Sequence, residues 1–87
     1  MSTVITDTDA KANISANVRR LLDAKGMNQA KLATLTEESN ARISLLINGK
    51  HLPSSAFLAR LAEALGVSTD TLLARPKYFS GKPRKTA

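Results

Sequence analysis

Apolar residues recur at helical intervals through most of the chain. In the first such segment the spacing is i, i+4, i+7 and i+8, which places four residues on one side of a helix. They are Ile14, Val18, Leu21 and Leu22. The pattern predicts a helix from about Asn13 to Lys25, and Gly26 is suited to end it. No segment alternates between apolar and polar residues with a period of two, so we predict no β-strand.

Residues 28–50 predict two short helices separated by a polar break. The first of the two begins at Asn28 or Met27, and its apolar positions are Leu32, Ala33 and Leu35. Residues 36–39, with the sequence Thr-Glu-Glu-Ser, interrupt the apolar pattern and form the break. Two helices this close in sequence must cross near the break, and the small side chain of Ala33 allows a close approach.

Polar residues and a glycine mark the ends of the third helix. Ser39 is suited to cap its N-terminus, because a serine hydroxyl can accept a bond from a backbone N–H of the first turn. The helix runs to about Ile47, and Asn48 and Gly49 follow it. Gly49 can adopt the left-handed conformation that commonly ends a helix.

The third helix has two faces of different chemistry. At about 100° per residue, one side collects the large apolar residues and must be buried. That side consists of Ile43, Leu46 and Ile47. The opposite side carries Ala41, Ser44 and Leu45, and Asn40 and Arg42 flank it. A leucine on this small, polar, lightly charged outer face needs an explanation, and contact with a partner would provide one.

The last two helices follow a loop that contains Pro53. Ser54 can cap the fourth helix, and Gly66 is suited to end it. Its broad apolar stripe consists of Ala56, Phe57, Leu58, Leu61, Ala62 and Leu65. Ser68 or Thr69 caps a short fifth helix that ends at Ala74, with Asp70 in the first turn, where the helix dipole favours an anion. The sequence therefore predicts an all-α domain of five helices.

The order of these residues resembles the Cro/lambda-repressor-type (XRE-like) helix-turn-helix family. The resemblance begins with Q-x-x-L-A, I-S, N-G-K and a proline four residues after the glycine. Those positions are Gln29, Leu32, Ala33, Ile43, Ser44, Asn48, Gly49, Lys50 and Pro53. It continues through L-x-x-L-A-x-x-L-G-V at 58–67 and Leu72-Leu73, and so covers about 14–74 without an insertion. It implies a lambda-repressor-like DNA-binding domain with the helix-turn-helix at helices 2 and 3.

By this resemblance the third helix reads bases in the major groove of DNA. The family's base-facing positions are Ser39, Asn40, Ala41, Ser44 and Leu45, which agree with the outward face derived above. Asn40 can pair with an adenine edge, while Ala41 and Leu45 can cover a thymine methyl group. Arg42 can reach either a guanine or, from the helix flank, a phosphate. The surface therefore favours a half-site rich in A·T pairs.

A second set of residues is expected to contact phosphates. Gln29 lies at the start of helix 2, where its amide and the backbone N–H groups of the helix can bind the same anion. The resemblance adds Asn28, Asn48, Gly49 and Lys50 to this set. Such contacts fix the register of a protein on DNA and carry no sequence information.

Two features depart from the family pattern. The turn between helices 2 and 3 usually contains a glycine followed by an apolar residue, and this chain has Glu37 and Glu38 there. A positive φ at Glu37 costs on the order of 1 kcal/mol relative to glycine, and both carboxylates repel phosphate. The second departure concerns an arginine and a glutamate that often pair across this fold. Leu22 and Ile47 stand in their places, and an apolar pair can replace a salt bridge without loss of stability.

Composition limits the remaining possibilities. The 87 residues, 43% of them apolar, allow one small domain, and the absence of cysteine excludes disulfides and thiolate metal sites. One histidine cannot form a zinc site, so we expect neither metal nor cofactor. No apolar run approaches the length of a membrane span and no leader is evident, so we expect a cytoplasmic protein. With only three aromatic residues, single-strand binding by base stacking is not expected.

The net charge of +6 favours a polyanionic partner, but it is unevenly distributed. Residues 75–87 contain five basic residues and no acid, whereas residues 11–74 contain eight basic and five acidic residues. We expect residues 1–12 to be disordered, residues 13–74 to form the domain, and residues 75–87 to form a basic flexible tail or linker. The tail either remains solvated or tracks phosphates, and its Tyr78-Phe79 pair can dock on the domain or on a second subunit.

Two classes of function remain open at this stage. The first is a sequence-specific regulator of transcription, with repression as its expected role, that binds a palindromic operator in double-stranded DNA as a homodimer. The second is a protein-interaction module, for example an antitoxin-like partner-binding domain, that keeps the fold with weak or no DNA binding. Glu37, Glu38 and Leu45 favour the second class. The sequence shows no nucleophile–base pair, phosphate-binding loop or pocket for a small molecule, so we do not expect an enzyme.

Overall fold

The computed structural model describes residues 6–76 and contains five α-helices in this range. They are α1 (Asp7–Lys25), α2 (Gln29–Thr36), α3 (Asn40–Ile47), α4 (Ser55–Leu65) and α5 (Thr69–Leu73). No strand occurs in the described part of the chain, so the predicted all-α fold is confirmed there. Among these helices, none combines the length and the apolar composition needed to cross a bilayer. Tyr78-Phe79 and the rest of the basic tail from Lys77 onward lie outside the described residues.

Side-chain caps begin all five helices. Asn28 Oδ1 accepts a bond from the backbone N–H of Lys31 at 2.8 Å, so Asn28 rather than Met27 opens α2. In the same way Ser39, Ser54 and Ser68 cap α3, α4 and α5. The predicted cap at Ser39 is therefore confirmed, and Ser68 rather than Thr69 caps the last helix, which ends at Leu73 instead of Ala74.

The first helix begins six residues earlier than the predicted start at Asn13. Thr6 caps it, since its Oγ1 accepts a bond from the N–H of Asp9 at 3.1 Å. The expectation that residues 1–12 are disordered is therefore wrong for residues 7–12. None of residues 7–12 is buried, so the apolar period could not reveal this part of the helix. The signal was the Thr6-x-x-Asp9 spacing, which resembles a capping box.

One apolar core lies between the helices. Among residues 6–76 it contains 13 buried hydrophobic residues, and it includes the stripe of α1 and the inner face of α4. The main helix contacts form a closed ring, α1–α3–α2–α4–α5–α1. Two predicted apolar positions differ, because Ala56 is exposed, and Leu35 is 43% exposed while its neighbour Thr36 is fully buried. Thr36 satisfies its hydroxyl by donating to the carbonyl oxygen of Leu32 at 2.8 Å.

Polar side chains of α1 bind the C-terminal end of α5. The amide Nδ2 of Asn17, which is 2% exposed, lies 2.8 Å from the Leu72 oxygen and 2.7 Å from the Ala74 oxygen. One turn earlier, Asn13 donates to Leu73 at 3.0 Å. These bonds satisfy carbonyl groups that the end of α5 leaves without helical partners. They fix α5 against α1.

Candidate nucleic-acid interface

The third helix presents the outer face that the sequence predicts. Ile43 and Leu46 are fully buried and Ile47 packs partly against the core. On the other side Ser39, Asn40 and Ala41 are exposed, Leu45 is 46% exposed, and Ser44 is half-buried. The buried pair anchors α3 from behind, and Ala41 and Leu45 on its outer side are exposed to solvent. The base contacts assigned to these residues remain predictions.

The turn before α3 keeps the shape expected of a glycine-containing turn. Glu37 has φ 59° and ψ 40°, in the left-handed region. The N–H of Glu37 binds the Thr34 oxygen at 3.2 Å, and the N–H of Glu38 binds the Ala33 oxygen at 3.0 Å. This pair of bonds is the Schellman arrangement, which usually has glycine at the left-handed position. The glutamate is therefore accommodated with a strain of about 1 kcal/mol. The first residues of α3, Asn40 and Ala41, remain exposed to solvent.

The second carboxylate of the turn is paired with two arginines. Glu38 Oε2 lies 2.9 Å from Nη2 of Arg60, and Glu38 Oε1 lies 3.2 Å from Nε of Arg42. Arg60 also donates from Nε to the backbone carbonyl oxygen of Thr36 at 2.9 Å. Because two positive charges surround one carboxylate, this cluster has a net charge of +1. The repulsion of phosphate expected at Glu38 is thus compensated, whereas no described basic group pairs with Glu37.

The predicted phosphate contacts lie at the ends of α2 and α3. Gln29 is half-buried, and its Nε2 lies 3.5 Å from the Asn40 oxygen, so the two helix starts are brought together. Asn28 uses its side-chain oxygen as the cap of α2. At the other end of α3, Nδ2 of Asn48 donates to the backbone carbonyl oxygen of Ser44 at 2.9 Å, and Lys50 is exposed. A phosphate bound by these amides would either replace these hydrogen bonds within the protein or be bound in addition to them.

The end of α3 is held by residues that sequence reasoning did not select. The carbonyl oxygen of Ile47 accepts hydrogen bonds from the Ser15 hydroxyl and from Arg19 Nε. Gly49 adopts φ 73°, as predicted, and the N–H of Lys50 then binds the Leu45 oxygen at 2.8 Å. Nothing in the sequence distinguishes Ser15 and Arg19 from other polar residues of α1, apart from their i, i+4 spacing.

The two positions that depart from the family's arginine–glutamate pair lie at this same junction. Leu22 is buried, and Ile47 packs partly against the core. Both border one shallow depression, together with Met27 and Gln29. Leu22 and Ile47, which stand in place of the family's ion pair, thus lie beside the hydrogen bond from Arg19 to the Ile47 carbonyl oxygen. That bond provides a polar link between α1 and α3.

A large depression of the described surface lies away from the exposed face of α3. Its volume is about 690 Å³. It runs along the outer side of α1, and Asn48, Gly49 and Pro76 close one side. None of Asn40, Ala41 and Leu45 borders it, so the candidate interface is a protruding helix and not a pocket.

Comparison with known proteins agrees with this geometry. The family model described as Helix-turn-helix (HTH_3) matches residues 18–72, which include all of α2 and α3. The fold is similar to that of a hypothetical transcription factor, NHTF, from Neisseria, with a TM-score of 0.76 and 22% identity over 92% of each chain. It is also similar to an HTH_3 family transcriptional regulator from Vibrio cholerae, with a TM-score of 0.71 and 24% identity. That match covers 87% of this chain and 40% of the Vibrio chain. No curated protein sequence matches.

Proposed function

Since the chain belongs to the helix-turn-helix (HTH_3) family of the Cro/lambda-repressor type, we propose that it is a sequence-specific, DNA-binding repressor of transcription. The observation that carries the proposal is the exposed face of α3 above a fully buried anchor of Ile43 and Leu46. A helix supported in this way can enter the major groove of B-DNA without rearrangement of the core. The protein acts on DNA in the cytoplasm and catalyses no reaction.

Base recognition is assigned to the N-terminal half and outer side of α3. The contacting set is Ser39, Asn40, Ala41, Arg42, Ser44 and Leu45. Asn40 is exposed in the first turn, where its amide can donate to N7 and accept from N6 of an adenine. Ala41 and Leu45 supply apolar surface for thymine methyl groups, which favours A·T pairs beneath the middle of the helix.

Phosphate recognition is assigned to the ends of α2 and α3. The contacting set is Asn28, Gln29, Asn48, Gly49 and Lys50. The Gln29 side chain already lies beside the start of α3, so a phosphate bound there fixes α2 and α3 together relative to the groove. The N-terminus of α2 adds backbone N–H groups and a favourable dipole.

We assign the protein to the homodimeric repressors that bind an inverted repeat. Two-fold symmetry places the two copies of α3 about 34 Å apart, one turn of B-DNA, and so sets the half-site spacing. Candidate dimer contacts are α5 and Tyr78-Phe79. A monomer presents only one recognition helix, so dimerisation is needed to double the number of bases read.

Selection of bound duplexes from a random pool, using the full chain, tests this proposal. The expected result is a single half-site repeated with two-fold symmetry. Binding to the selected duplex should weaken as salt rises, with each phosphate contact adding about 0.9 to the slope of log affinity against log salt. No enrichment of any duplex, or affinity that does not depend on salt, contradicts the proposal.

A second candidate function is a protein-interaction module of the antitoxin-like type. The observation that favours it is a depression of about 450 Å³ beside Leu35, bordered by Glu37, Arg60, Glu63 and Ala64. Leu35 is 43% exposed there, next to two carboxylates, Glu37 and Glu63, that form no ion pair among the described residues. Such a surface suits a basic partner with an apolar side chain. Glu63→Lys should abolish binding of that partner and leave duplex binding intact.

A further inference from the structure

The carboxylate of Glu38 connects α4 to the first turn of α3. Its two oxygens bind different arginines, with Arg60 Nη2 at 2.9 Å and Arg42 Nε at 3.2 Å. The Glu38 side chain is 20% exposed, compared with 39% for Arg60 and 50% for Arg42. The carboxylate is therefore the least exposed of the three charged groups, and it is held in place between the two guanidinium groups.

Arg60 is the fixed end of this chain of contacts. Its Nε donates to the Thr36 oxygen at 2.9 Å, and its guanidinium lies 5.8 Å from the centroid of the Phe57 ring. Phe57 is 2% exposed, so the ring belongs to the core. A planar guanidinium bound at Nε and Nη2 and placed near an aromatic ring has little rotational freedom. Arg60 therefore fixes the orientation of the Glu38 carboxylate.

Arg42 is the free end of the same chain of contacts. Glu38 binds it through Nε, the atom nearest the aliphatic part of the side chain. No described residue accepts a bond from its terminal nitrogens, Nη1 and Nη2. Two parallel N–H donors at the tip of an arginine match the O6 and N7 acceptors of guanine, whereas adenine presents a donor in place of O6. A carboxylate at Nε leaves this end available and limits its rotation.

We propose that Arg60 and Glu38 position Arg42 to read a guanine at one base pair of each half-site. Glu38 and Arg60 act here as positioning residues, and Arg42 is the residue that touches the base. The inference rests on the proposed DNA-binding function and refines it, because Asn40, Ala41 and Leu45 by themselves favour A·T pairs. It also explains why the turn can carry a carboxylate beside a polyanion, since the carboxylate has a role in orienting the cation.

The neighbouring glutamates provide a matched pair of variants. Glu38→Gln and Glu37→Gln each remove one negative charge from the same turn, so the net charge of the protein rises by one in both variants. Only Glu38→Gln should reduce the preference for guanine over adenine at one base pair of the selected half-site, by roughly tenfold. The measurement is competition binding with a set of duplexes in which each base pair is changed in turn. Equal discrimination by the two variants would overturn the proposal.

A double-mutant cycle shows whether the effect passes through Arg42. In an Arg42→Ala background, Glu38→Gln should cause no further loss of discrimination, because the residue that it positions is absent. Arg60→Lys keeps the charge but cannot bind Thr36 and Glu38 together, so it should reproduce the Glu38→Gln loss. Additive losses in the cycle, or a selected half-site without a guanine, would overturn this inference while leaving the proposed function in place. If the wild type selects no duplex, the proposed function itself fails.

Discussion

The Nε of Arg19 lies 3.2 Å from the carbonyl oxygen of Ile47, so a side chain of α1 binds the last turn of α3. Ser15, one turn earlier on α1, donates its hydroxyl to the same oxygen. The last carbonyls of a helix lack partners within the helix, and here α1 supplies them. The link holds the far end of the candidate recognition helix, while Glu38 and Arg60 hold the turn before its first residue.

Removal of the Ser15 hydroxyl tests this link. Ser15→Ala leaves the Ile47 oxygen with one donor fewer and should lower the free energy of unfolding by about 1 kcal/mol. Amide hydrogen exchange should also become faster in the last turn of α3, relative to its first turn. Ser55→Ala is the control, because Ser55 is exposed and forms no side-chain bond among the described residues. Equal effects of the two substitutions would contradict the assigned role.

Asn17 should be more important for stability than any exposed polar residue. Its amide donates to carbonyl oxygens of Thr71, Leu72 and Ala74 at 3.1, 2.8 and 2.7 Å. Asn17→Leu keeps a similar volume but leaves these acceptors, of which the Leu72 oxygen is in a buried bond, without their donor, so we expect a loss of about 2–3 kcal/mol in urea unfolding. Asn13→Ala removes a single part-buried bond and should cost about 1 kcal/mol. A milder effect at Asn17 than at Asn13 would show that α5 is held mainly by its apolar contacts.

Positions with a local signal were predicted well from the sequence. The ends of α3 and α4 follow the predicted limits because each helix has a serine cap before it and a glycine with positive φ after it, Gly49 or Gly66. Helix α2 instead extends to Thr36, the first residue of the predicted break at 36–39, because glutamate at position 37 gives no signal for a helix end. The start of α1 was missed because its first turn is polar and contains no buried residue. The apolar period detects only the part of a helix that faces the core.

The polar contacts that orient α3 could be predicted only in part. The Glu38–Arg42 pair has the i, i+4 spacing that favours an ion pair on a helix surface. Arg60 is 22 residues from Glu38 in the chain, and their contact exists only after α4 packs against α2. In the sequence Asn13 and Asn17 are likewise only polar residues beside an apolar stripe. Their hydrogen bonds to the end of α5 become evident only once α5 packs against α1. Long-range polar contacts follow from the packing and leave no periodic signal.

Replacement of Glu37 by glycine should stabilise the protein. Its φ of 59° is the only positive φ at a non-glycine residue in the described chain. Glycine removes the clash of Cβ with the backbone, and the expected gain is about 1 kcal/mol in the free energy of unfolding. Glu37→Ala keeps Cβ and should bring no such gain, while Glu37→Gln reports the effect of the charge alone. A glycine variant that is no more stable than the alanine variant would show that the turn carries no strain.

Gln29 and Asn40 should differ in how they affect DNA binding, although their atoms approach within 3.5 Å. Gln29→Ala removes a phosphate contact, so affinity should fall by a similar factor for selected and random duplexes. Asn40→Ala should mainly remove preference at one A·T pair, at a cost of about 1–3 kcal/mol on the selected duplex and little on random DNA. Competition binding at fixed salt separates the two patterns, and circular dichroism checks that both variants fold. Losses of equal size from both substitutions on both kinds of duplex would remove the division of α2 and α3 into a positioning helix and a reading helix.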